Sequence, residues 1–82
     1  MQKVGRVLDI VKGHRLTIQC SSPIVLNAIL HAKHPKITDC EILCSEMWTL
    51  DNTPVTEVVS GDLVQVPWVK GIQQQAVLYK LT

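Results

Sequence analysis

SSPIVLNAILHAKHPKITDCEILC, residues 21 to 44, carries a helix-start signal, two histidines and two cysteines in one run. Its reading decides between a metal-organised domain and a strand-built one. His31, His34, Cys40 and Cys44 have the chemistry of a closed tetrahedral zinc site, two imidazoles and two thiolates. The spacing argues against it. From Asp39 onward the residues alternate, with Cys40, Ile42 and Cys44 on one face and Asp39, Glu41, Leu43 and Ser45 on the other, which predicts a strand. Two thiols four residues apart on a strand are separated by roughly 13 Å, whereas zinc holds both within about 2.3 Å. The expectation is no bound metal and no other cofactor. The cysteines are read as small core hydrophobes, and the histidines as solvent-facing residues of a loop or helix end.

The first part of the run is read as a short helix. Ser22 before Pro23 is a good start, since a hydroxyl caps free amides and proline at the first helical position loses no needed donor. Val25, Ile29 and Ala32 then share a helical stripe that Pro35 ends. The alternative is a short IVL strand followed by an irregular crossing.

Outside this stretch, strands dominate. VGRVLDIV and RLTIQC flank KGH as a hairpin, with Leu16, Ile18 and Cys20 on one face. In the first run Leu8 and Ile10 share a face with Arg6, and Val7 and Val11 share one with Asp9, which predicts partial cover on both sides. LDNTP is a turn, PVTEVV a short edge strand, and LVQVPW and IQQQAVLYKL two last strands joined by a hairpin near Lys70 and Gly71. Strands spaced this closely predict a mainly β fold. A single domain over residues 1–82 is expected, a small barrel of five to six strands, OB or SH3-like, with at most one short helix.

The 82 residues are 46% hydrophobic and 18% charged, enough apolar material for a core and too little charge for a disordered chain. Charges at Lys3, Arg6 and Asp9 interrupt the beginning, so no signal peptide or membrane span is expected there, and three cysteines fit reduced thiols in a cytoplasm. Six of the eight Lys and Arg residues lie in residues 1 to 36, with Asp9 as the lone acid of that half. Such asymmetry suits nucleic acid or a complementary protein surface.

The chain lacks a phosphate loop, a G-x-S-x-G elbow, H-E-x-x-H and C-x-x-C, so catalysis is not expected. Binding is. Trp68, Val69 and Ile72 surround the expected hairpin tip, and Met47 and Trp48 precede the LDNTP turn; these five are the candidate protein-contact residues. The alternative is single-stranded nucleic acid, held by Lys3, Arg6, Lys12, Arg15, Lys33 and Lys36. Its aromatic supply is thin: Tyr79 alternates with Val77 and Leu81 and reads as core.

GRVLDI, LTIQCSSPIVLNAIL, GDLVQVPW and the closing QQAVLYKLT together resemble a family of small phage-tail proteins. Members are encoded beside baseplate hub genes in the tail operons of contractile-tailed phages and defective prophages of Gram-positive bacteria. The resemblance implies a structural assembly module of the virion tail, made in the host cytoplasm. It would bind other tail and baseplate proteins and self-associate about a symmetry axis, with no membrane partner and no catalytic residues to carry over.

Overall fold

The computed structural model describes residues 2–34 and 37–80. Its strands are β1 (Gln2–Val11), β2 (Arg15–Cys20), β3 (Ile24–Val25), β4 (Ile29–His34), β5 (Ile37–Leu43), β6 (Glu57–Val58), β7 (Leu63–Pro67) and β8 (Val77–Lys80). The fold is mainly β, as expected, with no helix among the described residues.

Six strands form one curled antiparallel sheet in the order β5-β4-β8-β1-β2-β7, and β3 pairs with β6 as a separate ribbon. Beyond β5 the chain comes back against the far edge: Trp48 and Gln65 exchange both backbone hydrogen bonds, at 2.9 and 2.8 Å. That bridge carries the sheet toward closure as a barrel-like half-shell. The concave side holds Val4, Val7, Leu16, Ile18, Leu30, Ile42, Val64, Val66 and Leu78, all removed from solvent.

The β1–β2 hairpin forms as its sequence predicts. Val11 pairs with Arg15, the His14 amide donates to the Val11 carbonyl at 2.9 Å, and Gly13 supplies the φ of 80° that the turn requires. The uneven pattern of β1 comes from two register shifts, between Lys3 and Gly5 against β8 and between Val7 and Asp9 against β2. The first bulge moves the inward parity by one residue, so Val4 and Val7 both enter the core despite their odd spacing.

The expected helix is absent. Ser22 does not cap a helix: its hydroxyl accepts from Gln2 Nε2 at 3.3 Å and donates to the Lys3 carbonyl at 3.4 Å, tying the segment to β1. Ile24 and Val25 pair with Val58 and Glu57, and Asn27, at φ 70°, then turns the chain into β4. In β4 Leu30 and Ala32 point inward, a period of two rather than 3.6. The alternative reading foresaw the short strand but not β4. Of PVTEVV only Glu57–Val58 is strand.

The ending also differs. β8 starts only at Val77, and β7 and β8 form no hairpin: β8 lies between β1 and β4, and β7 is at an edge. The residues between them cross the open end of the shell. Trp68 donates its amide to the His14 carbonyl at 3.1 Å, and Gln75 donates to Val7 O at 2.8 Å while Val7 donates to Ala76 O at 3.0 Å.

Candidate functional site

The crossing segment determines what becomes of three candidate contact residues. Ile72 is buried, and Trp68 and Val69 are half-buried and packed against the core, because the segment plugs the shell rather than projecting as a tip. Met47 is buried as well, at 1% exposure. Burial on this scale makes Met47 and Ile72 core residues. Trp48 has a different setting.

The Arg15 guanidinium lies over the Trp48 ring, 3.6 Å from its centroid. One guanidinium nitrogen also donates to Asn52 Oδ1 at 2.6 Å and Gln65 Oε1 at 3.3 Å. Both acceptors are placed by backbone: Gln65 by its bridge to Trp48, and Asn52 by a turn at φ 70° in which its amide donates to the Thr49 carbonyl at 3.0 Å. Within that turn the Thr49 hydroxyl donates to Asp51 Oδ1, and hydrogen bonds from Thr49 and then Thr53 hold the Asp51 carboxyl below its ordinary pKa. The stacked, hydrogen-bonded arginine fixes the indole.

Beside the indole is a groove of about 300 Å³, lined mainly by Leu26, Met47, Trp48, Pro54 and Val55, with Thr56 at its exposed rim. The wall comes from two directions: Leu26 follows β3, and Pro54 to Thr56 lead into β6. Leu50, 55% exposed, stands on the same turn. The groove is mainly apolar, with Ser45 and Glu46 also in its lining, and has the dimensions of a site for one or two side chains.

The five basic candidates among the described residues do not form a single group. Arg15 is committed to Trp48, Lys12 is at the β1–β2 turn, and Lys36 lies outside the described residues. Lys3 and Arg6 flank a polar hollow with Ser21, Ser60 and Gly61. Lys33 Nζ lies 5.9 Å from the centroid of Tyr79. Tyr79 is not core as its sequence pattern suggested: Leu78 points inward, and Tyr79 stands on the outer face, opposite His31 on β4 and Lys3 on β1. Alternation beside a buried leucine was the signal, once the parity of β8 is known.

The zinc candidates with described side chains fall on different faces of the sheet. His31 pairs with Glu41 on the outer side, whereas Cys40 and Cys44 alternate with Glu41 toward the core. The sheet separates imidazole from thiols, and the side chain of His34 lies outside the described residues. Among the described residues no three His, Cys, Asp or Glu side chains are grouped to hold an ion. Burial, aided by Asp62, pushes the Cys20 thiol up to about 11; burial, aided by Cys20, does the same to Cys44. Cys40 is raised too, by burial and then Glu41. Raised thiols are poor nucleophiles at neutral pH. No helix among the described residues is long and apolar enough to cross a membrane.

No family model matches the chain, and no curated protein matches it. Two solved structures do. The C-terminal domain of a Geobacillus thermoleovorans protein described as a U32 peptidase superposes with a TM-score of 0.89, at 13% identity, over 99% of this chain and 93% of that domain. The selenomethionine form of that domain gives 0.88 at 13% identity, over 98% and 100%. At this identity the likeness establishes the fold. It also corrects the phage-tail reading: the structural neighbours are C-terminal domains of a U32 peptidase protein and not tail subunits. The single-stranded nucleic-acid reading receives no support from them either: Lys3 and Arg6 line one hollow, while Arg15 is held at Trp48 and Lys12 is at the hairpin turn.

Proposed function

We propose that this barrel is a non-catalytic recognition domain that docks a partner polypeptide, with an apolar side chain of the partner seated in the groove beside Trp48. The observation that carries the reading is the Arg15–Trp48 pair: an aromatic wall locked by a cation and two amide acceptors, next to an open apolar hollow. A preformed aromatic wall loses little entropy on binding, which is how interface anchors concentrate affinity. The likeness to a domain solved as the C-terminal part of a longer protein is consistent with an accessory role. The raised thiols fit the same reading.

The test is selection from a yeast-displayed random peptide library on the wild-type domain, followed by titration of the selected peptides against Thr56→Arg. Thr56 is exposed at the groove rim, so the arginine obstructs the groove without opening the core. Peptides with a large apolar anchor that lose at least about tenfold in affinity on Thr56→Arg support the reading. Peptides bound equally by both proteins, or a library yielding none, would overturn it.

A further inference from the structure

The strand register lays out a second surface, distant in the sheet from the groove. On the outer face Lys33 of β4 stands opposite Val77 of β8, Val77 opposite Arg6 of β1, Arg6 opposite Gln19 of β2, and Gln19 opposite Leu63 of β7. The adjacent outward row is Glu41, His31, Tyr79 and Lys3. Strands lie about 4.8 Å apart, so Lys33 and Arg6 are roughly 10 Å from each other with an apolar side chain between them. Tyr79 sits within the group, with Lys33 near its ring.

Three permanent cations thus share the face of three neighbouring strands, and Glu41 is the one carboxylate of the two rows. Like charges gathered this way repel unless an anion comes to them. We propose that the outer face of β4, β8 and β1 binds an acidic polypeptide segment whose carboxylates alternate with apolar side chains. The carboxylates meet Lys33, Arg6 and Lys3, and the apolar side chains lie on Val77 and Tyr79. The mixed rows decide against a phosphate chain. Glu41 beside His31 repels a continuous polyanion, Val77 and Leu63 interrupt the cations, and Tyr79 offers one ring where single strands use several. This site is independent of the Trp48 groove, which lies beyond the β7 edge.

The probe is a fluorescein-labelled decapeptide alternating Glu and Val, titrated by anisotropy. Binding is expected at low salt and weakens about tenfold toward physiological salt. The double variant Arg6→Glu, Lys33→Glu should weaken it at least about tenfold more, while Lys12→Glu, a charge reversal at the hairpin turn, leaves it within about twofold. Arg6→Gln, Lys33→Gln serves if the reversal fails to fold, and matching melting curves establish that either variant is native. Absence of binding, equal weakening by Lys12→Glu, or tighter binding of an oligo(dT) strand than of the peptide each overturns the proposal. So does concentration-dependent dimerisation abolished by the same double variant, which would make a second copy the occupant.

Discussion

Arg15 and Trp48 are joined twice, by the guanidinium over the indole at 3.6 Å and through Gln65, which hydrogen-bonds the arginine side chain and the tryptophan backbone. The pair links β2 and β7 to the segment that returns from β5. Replacing Arg15 by alanine should cost about 1–2 kcal/mol, from the lost cation–π contact and two unpaired amide acceptors. Lysine should restore little, since an ammonium has no flat face to lie on the indole while one of its nitrogens reaches Asn52 and Gln65, as the guanidinium does. Chemical denaturation of Arg15→Ala, Trp48→Leu and the double variant measures the coupling, expected near 1 kcal/mol. An additive cycle would show that the two side chains only lie near one another.

This pair marks where the sequence was readable and where it was not. The KGH hairpin, the alternation of RLTIQC and the inward run of Cys40, Ile42 and Cys44 follow from local chemistry, and all three appear in the sheet. Ser22-Pro23 misled because a hydroxyl before proline serves a helix start and a strand-to-strand tie equally well, and a contact with Gln2 and Lys3 is not local. The two bulges of β1 hid its inward face for the same reason: a register shift is visible only against a partner strand. Trp68 and Ile72 looked exposed because adjacent strands usually form hairpins, whereas β8 inserts between β1 and β4. The groove was half legible, since Trp48 was singled out but Arg15 was assigned to another role.

Gly5 is required by distance rather than by backbone angle. A Cβ there would stand 2.5 Å from the Gln19 carbonyl oxygen and 3.0 Å from Ile18 Cγ2, where β1 and β2 press together. Gly5→Ala should therefore cost about 2–3 kcal/mol, because the obstacle is backbone and cannot swing away. Gly13→Ala meets nothing within 4 Å and should cost only about 1 kcal/mol, for its φ of 80°. Thermal melts of the two variants should rank in that order. A reversed order would contradict the close approach of the two strands.

The thiols make stability fall in alkali. Cys20 and Cys44 rise from the ordinary 9.0 to about 11 on folding, chiefly by burial, so the unfolded chain loses its thiol protons first. A raised folded pKa gives stability that is complete below about pH 9 and is lost as pH climbs through about 11. Urea midpoints between pH 8 and 11 should decline, and Cys20→Ala with Cys44→Ala should flatten the decline. At pH 8 an aromatic disulfide reagent should modify Cys40 first, the least buried of the three, and reach the others only on unfolding.

Asn27 decides whether residues 24 to 34 run as one helix or as two strands. It holds φ at 70°, its amide donates to the Cys44 carbonyl at 2.8 Å, and Cys44 returns a bond from its own amide to Ala28 O at 2.9 Å. Those bonds align β4 with β5 from its first residue. A helical segment would place Asn27 in right-handed backbone and leave Cys44 unpaired. Glycine, which adopts positive φ freely, should therefore be neutral or stabilise slightly at this position, whereas alanine, the better helix former, should cost about 1–2 kcal/mol. If residues 24 to 34 were helical, the ranking would invert, with alanine about 1 kcal/mol better than glycine. Denaturation midpoints of Asn27→Gly and Asn27→Ala thus read the conformation of the segment directly from the sign of one difference.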